Sequence, residues 1–179
     1  TAARVDTVVY FLANAGLFEV PVLGFLLSKL FCIPVERQND VNGRGVRNHK
    51  NFERCDDFLS NGGCLYIAPE GTSVMEYHLR KLKTGTARIA LRAEAKNNFQ
   101  LGLTILPVGL TYSAPADFRS EVVVNVGQPI KIAEYQTLYE KDSFKAARKL
   151  TEDLQDRLGN LIFNTHNDTE EQFIRKLDT

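Results

Sequence analysis

The chain has 179 residues, 44% of them hydrophobic, enough for one domain with a real core. Lysine plus arginine equals aspartate plus glutamate at 22 each, so no net field points to nucleic acid or to an acidic partner. Three cysteines (Cys32, Cys55 and Cys64) form no CxxC pair and leave one odd, which reads as reduced thiols in a cytosolic setting.

Strand and helix signals alternate along the chain, the mark of an α/β domain with a mixed central sheet flanked by helices. Val5 to Leu12 is apolar, β-branched and aromatic, and predicts a strand. Val20 to Phe31 carries apolar residues at 20, 23, 26, 27, 30 and 31, a helical stripe. The most apolar window, Leu17 to Val35, is broken by Glu19, Pro21 and Lys29 and falls short of the roughly 18 clean residues of a membrane span. Phe31 to Val35 predicts a short strand, and a turn-rich stretch over Gln38 to Gly45 follows. Val46 to Ser60 predicts a helix with Phe52, Cys55 and Leu59 on one side, stopped by Asn61-Gly62-Gly63. Cys64 to Ala68 reads as a buried strand, and Thr84 to Lys96 as a helix capped by Thr84 and burying Ala87, Ile89, Ala90 and Ala93. Leu103 to Tyr112 and Glu121 to Val126 predict strands, the first bent or placed at an edge by Pro107. Ser143 to Phe163 repeats Phe144, Ala147, Leu150, Leu154, Leu158 and Leu161 at three- and four-residue steps, an amphipathic helix. The expected organisation is an α/β domain over 1–140, incomplete at its N-terminus, with a helical segment over 141–179 packing on it or extending it.

One junction carries the chemistry. The apolar run Cys64-Leu-Tyr-Ile-Ala68 stops at Pro69-Glu70-Gly71-Thr72, and Lys83-Thr84-Gly85-Thr86 then opens a helix of small residues. Pro69 keeps Ala68 extended, and Gly71 permits a tight turn or a close backbone approach. Strand ends are where α/β sheets place ligands, and unpaired N–H groups at a helix start attract anions. Taken alone, Pro-Glu-Gly is a surface turn, and Arg37, at the end of Cys32-Ile-Pro-Val35, is a loop arginine in water. Taken together, Arg37, Gly71-Thr72 and Lys83 describe an oxyanion or phosphate pocket, with Arg37 offering a fork of donors and Glu70 at the bend of the turn beside it.

The order of these motifs resembles the glycerolipid acyltransferases of the lysophosphatidic acid and glycerol-3-phosphate type. Phe31-Cys-Ile-Pro-Val-Glu-Arg37 is similar to the family's second block, and Ala68-Pro-Glu-Gly-Thr72 with Lys83-Thr-Gly85 to its third. Ile105-Leu-Pro-Val-Gly109 is similar to its fourth, with Gly127-Gln-Pro-Ile130 beyond it. Two departures stand out. Ser73-Val74 replaces the family's Arg-Ser after Glu-Gly-Thr, and the first block, Asn-His-x-x-x-x-Asp, is absent. Asn48-His49 imitates that block, but Arg54 stands where the aspartate belongs, and the pair follows Arg37 where the family's precedes it. His49 therefore reads as a helix histidine, His78 as loop packing and His166 as a hinge residue without chemistry. The missing pair is expected just upstream of Thr1, so no catalytic residue is assigned within these 179 positions.

The resemblance implies transfer of a fatty acyl group from a thioester, acyl-CoA or acyl-carrier protein, to a glycerol-phosphate or lysophospholipid hydroxyl. A histidine would act as base and an aspartate would orient it. Arg37 and Lys83 would hold the phosphate, Glu70 and Gly71 shape the glycerol end, and Thr72 offer a hydroxyl. No cofactor or metal is implied. The partners implied are the acyl donor, the glycerolipid acceptor and a membrane surface, with peripheral attachment on the cytoplasmic side. The other reading is a non-catalytic module of the same fold that binds lipid headgroups or a membrane surface. No phosphate loop of the GxxxxGK[ST] or GxGxxG form supports a nucleotide-binding enzyme.

Overall fold

The computed structural model describes residues 8–35, 45–72, 78–112 and 121–162, with the side chains of its second helix described from Phe52 onward. Strand β1 (Val9–Asn14) runs into a 3-10 turn (Ala15–Glu19) and helix α1 (Pro21–Lys29). Strand β2 (Cys32–Val35), helix α2 (Gly45–Ser60), strand β3 (Cys64–Tyr66) and helix α3 (Gly85–Lys96) follow. The chain then forms β4 (Thr104–Ile105), β5 (Val108–Tyr112), β6 (Val122–Val126) and β7 (Ile130–Lys131). A 3-10 turn (Ile132–Tyr135) leads to α4 (Gln136–Lys141) and α5 (Ser143–Gly159).

Among the described residues the mixture of parallel and antiparallel pairing is divided among three hydrogen-bonded units. β2, β1 and β3 lie side by side and parallel, with Phe11 opposite Cys32 and Val9 opposite Cys64. β4 pairs antiparallel with β7, and β5 with β6. All three parallel strands end at the same edge, so the chain leaves that edge after β1 into α1 and after β3 into Pro69-Glu70-Gly71-Thr72.

Period-two alternation decides which strand residues are covered. Tyr10, Leu12, Ile33 and Leu65 pack on Cys55 and Leu59 of α2 and on Ile89 and Ala93 of α3. Their alternates Phe11 and Tyr66 are 45% and 44% exposed, and their rings meet at 5.5 Å. The reading of 64–68 as a buried strand is therefore corrected. Regular pairing stops at Tyr66, and Cys64 and Tyr66 lie on the uncovered face. A second core joins Leu91 of α3 to Ala146, Leu150, Leu154 and Leu158 of α5, with Ile130 and Ile132 beneath them.

Several boundaries moved for local reasons. Asn14 accepts the Gly16 N–H at 3.0 Å and starts the 3-10 turn, so α1 begins only at Pro21, a favoured first helical residue. Thr84 precedes α3 but its side chain makes no capping bond, against the expectation. Pro107 splits the predicted strand 103–112 into β4 and β5. It is buried, and its carbonyl accepts the Gly127 N–H at 2.9 Å, so the break is bonded. α5 stops at Gly159 where 143–163 was expected, because the chain turns back and the Leu161 carbonyl accepts a bond from the Asn125 side chain at 2.8 Å. Asp142 caps α5, accepting from Phe144 and Lys145 N–H groups. Among the described residues no helix is long and apolar enough to cross a membrane.

Candidate functional site

The Pro-Glu-Gly-Thr turn and the lysine eleven positions on from Thr72 are brought together by short bonds. The Gly71 N–H donates to the Ala68 carbonyl at 3.1 Å, closing the turn. The Lys83 N–H donates to the Pro69 carbonyl at 3.0 Å, which ties the approach to α3 back onto the same turn. Gly71 has φ +67°, the left-handed region. A methyl group there would lie 3.0 Å from Lys83 Cδ and 3.3 Å from both Cε and Nζ. The lysine side chain thus lies across the glycine, with its ammonium against the bare backbone of the turn. Lys83 is exposed, while Glu70, Gly71 and Thr72 are half-buried. A cation seated beside a turn, at the start of a twelve-residue helix, can hold an oxyanion or phosphate.

Residues beyond the motifs hold this arrangement, and two of them had no sequence signal beyond helical position. Gln155, on α5, accepts the Leu82 N–H at 2.8 Å through Oε1 and donates to the Arg80 carbonyl at 3.2 Å through Nε2. It clamps the segment that delivers Lys83. Arg157, two positions on, donates to the Gln128 and Pro129 carbonyls at 2.9 and 3.2 Å. On the other side, Asp56 of α2 is fully buried and its Oδ2 meets Arg92 Nε at 2.8 Å and Lys96 Nζ at 2.9 Å, both on α3. The two cations approach off the hydrogen-bonding axis, and neither carboxylate oxygen has an aligned donor among the described residues. Glu94, also buried, accepts the Leu101 and Leu103 N–H groups at 3.1 and 2.5 Å, fixing the exit from α3.

Two acids, buried Cys55 and half-buried Tyr135, keep their protons to unusually high pH. The Cys55 thiol is pushed up to about 11, by burial first and then by the neighbouring Asp56 charge. The Tyr135 hydroxyl is also raised, by burial and by its bond to Asp153. Burial alone would raise the Asp153 carboxyl, but the bonds from Lys149 and Tyr135 outweigh it and hold the group below the ordinary carboxylate range.

Beside the turn lies a cavity of about 1070 Å³ lined by residues of β3 and β5, strands that are not paired with each other among the described residues. Its walls are largely apolar, with Leu59, Leu65, Ile67, Ile89, Leu103 and Leu158 among them, and Pro69 and Glu70 stand on its lining. His78, expected to be loop packing, is exposed and also lines this cavity. Arg37 and His166 lie outside the described residues, and His49 sits in α2 where only the backbone is described.

Comparison with known proteins gives consistent relatives. Glycerol-3-phosphate O-acyltransferase 2 of Saccharomyces cerevisiae is 27% identical over 164 residues, which take in 86% of this chain and 22% of that protein. A chloroplastic 1-acyl-sn-glycerol-3-phosphate acyltransferase of Arabidopsis thaliana is 24% identical over 100 residues, 56% of this chain and 24% of that one. The chain therefore spans about a quarter or less of the length of these curated relatives. In fold it is similar to the crystal structure of the 1-acyl-sn-glycerophosphate acyltransferase PlsC from Thermotoga maritima. That match has a TM-score of 0.51 and 16% identity, and covers 95% of this chain and 57% of the other. The family model described as Acyltransferase matches residues 1–111, more than half of the sequence, and the chain belongs to that acyltransferase family.

Proposed function

We propose that the protein containing this chain transfers a fatty acyl group from a thioester donor, acyl-CoA or acyl-carrier protein, to a glycerol-phosphate or lysophospholipid hydroxyl. One observation carries the reading: the Lys83 side chain lies across Gly71, at a half-buried Glu70–Thr72 turn whose Glu70 also lines a largely apolar cavity. The cation suits a phosphate, the turn suits a small polyol, and the cavity suits an acyl chain. Arg37 would add a second donor set to the phosphate, and Thr72 a hydroxyl.

A histidine of the complete protein, oriented by an aspartate, would serve as general base; none of His49, His78 and His166 has an aspartate five positions later, and none is given that role. This chain's own residues bind and orient the acceptor, so that its hydroxyl faces the thioester carbonyl while the base takes the proton. Transfer moves the acyl carbon from sulfur to oxygen and releases the donor thiol. A lysophospholipid acceptor is an amphiphile held in a bilayer, which supports peripheral attachment to a membrane, and we place it at the cytoplasmic face, where three cysteines without CxxC spacing fit reduced thiols.

The test uses the complete encoded protein with acyl-CoA or acyl-carrier protein and either glycerol-3-phosphate or its 1-acyl derivative. Acyl transfer to one of them is expected. A phosphate contact made equally in the ground and transition states appears in KM. Lys83→Ala and Arg37→Ala are therefore each expected to raise the acceptor KM about ten- to hundredfold, with kcat largely kept. An unchanged KM in either variant removes that residue from the site. A second reading, a lipid-headgroup module without catalysis, forecasts the opposite result. Tight binding of the phosphorylated acceptor with no transfer by the complete protein would establish it.

A further inference from the structure

Helix α1 departs from the rule that a surface helix turns its polar side to water. On its inner side Leu23 and Leu27 are half-buried, and on its outer side Val22 is 81% exposed, Phe25 68% and Leu26 51%. Leu17 and Val20 before it, and Leu30 after it, are exposed as well. No residue of α1 is buried, and the helix is apolar on both sides. The 3-10 turn and α1 form one unit: a methyl group on Gly24 would lie 2.4 Å from the Phe18 carbonyl oxygen, so only glycine lets the two approach.

The few polar groups of α1 itself fit a lipid environment rather than a protein one; the unit's carboxylate, Glu19, is exposed at the end of the 3-10 turn, before the helix. The Ser28 hydroxyl donates to the Phe25 carbonyl at 2.7 Å, so its hydrogen bond is satisfied within the helix. The sole charge between Pro21 and Lys29 is Lys29 itself, at the C-terminal end, with Nζ 5.8 Å from the centre of the Phe25 ring. A cation on a long stem at the end of an apolar helix can reach the headgroup layer while its neighbours sit among acyl chains. α1 also starts at the sheet edge that carries Pro69–Thr72, because β1 and β3 are parallel. On the reading proposed above, that edge takes a glycerolipid acceptor, and where this is a lysophospholipid a bilayer holds its acyl chain.

We propose that the Ala15–Phe31 unit is the element with which the protein enters a bilayer. Val22, Phe25 and Leu26 lie among the acyl chains, and Lys29 lies against anionic headgroups. The inference rests on the acyltransferase reading only for the choice of a membrane as the occupant, and its test does not use activity.

The chain contains no tryptophan. Phe25→Trp in the complete protein therefore adds a reporter, read as the difference from the unsubstituted protein. The probe is vesicles of phosphatidylcholine and phosphatidylglycerol whose acyl chains carry bromine. On adding vesicles, the emission of the introduced indole is expected to shift to the blue and to be quenched by the brominated chains. Val22→Ser with Phe25→Ser is expected to cut vesicle partitioning by about tenfold or more, since two apolar side chains leave the lipid. Two outcomes overturn the proposal. Reporter emission already blue before lipid and unmoved by it means that another part of the protein covers α1. Emission that stays red and unquenched means that α1 remains in water. Quenching in a protein that transfers no acyl group leaves bilayer entry standing and removes the acyltransferase reading instead.

Discussion

Gly71→Ala separates what the turn needs for its fold from what it needs for its ligand, because Gly62 provides a matched control. Both glycines sit at positive φ, +67° and +79°, where an alanine costs about 1–2 kcal/mol of backbone strain. Around Gly62 a methyl group would meet nothing within 4 Å. Around Gly71 it would meet Lys83 Cδ at 3.0 Å and Nζ at 3.3 Å, so the lysine must leave its seat. Its stem is flexible and exposed, so moving it adds little to the folding cost. The two variants should therefore lower stability in urea by amounts equal within about 0.5 kcal/mol. Only Gly71→Ala should raise the KM for a phosphorylated acceptor in the complete protein. The rise should be about tenfold, the lower end of what a bond to a charged group is worth. An equal rise in Gly62→Ala, or no rise in Gly71→Ala at the expected stability loss, would refute a role for the Lys83–Gly71 contact.

Removing both cations, Arg92→Met with Lys96→Met, should cost about 3–5 kcal/mol in urea unfolding, because Asp56 stays buried and unpaired. Asp56→Ala should cost less, since Arg92 and Lys96 are 29% and 42% exposed and can turn to water; the reverse order would show that packing dominates. At pH 8 a thiol reagent should label exposed Cys64 quickly and leave Cys55, with its pKa near 11, unlabelled until urea unfolds the chain. Cys55 and Tyr135 keep protons that the unfolded chain gives up, so the folded state binds more protons and stability should fall as pH rises from about 9. Cys55→Ala should flatten that fall in urea midpoints measured from about pH 7 to about pH 10.5.

The parallel strands and the long helices were legible because their signals are local. Apolar runs end at Pro34-Val35 and Ala68-Pro69, and the stripes of α2, α3 and α5 repeat at three and four residues. β7 and α4 were not legible. Two residues of strand and six of helix are too short for a period, and β7 exists because Ile130 pairs with Ile105 and is buried beneath α5. Glu70, Gly71, Thr72 and Lys83 could be named from the turn and its spacing. The contact of Lys83 with Gly71 could not, since it depends on a lysine rotamer and a positive φ. Gln155 and Arg157 escaped for another reason. On a helical wheel they are ordinary polar residues, and only tertiary placement aims them at backbone carbonyls and N–H groups.

That placement gives α5 a part in the site although the family model's match ends at residue 111. Leu150, Leu154 and Leu158 bury its inner face against Leu91 of α3, so the helix that follows Lys83 cannot shift without α5. Gln155 then bonds the 80–82 segment from the flank of that stripe, and Arg157 bonds the 128–129 segment. Just past its end, Leu161 accepts from Asn125 and lies where any side chain on Gly109 would stand, 2.8 Å from its carbonyl oxygen. The sequence Ile105-Leu-Pro-Val-Gly109 thus serves packing: its proline breaks the strand and its glycine admits the turn after α5. The residues proposed to meet the ligand lie in the first half of the chain, and the bonds that hold the segment before Lys83 come in part from the last described helix.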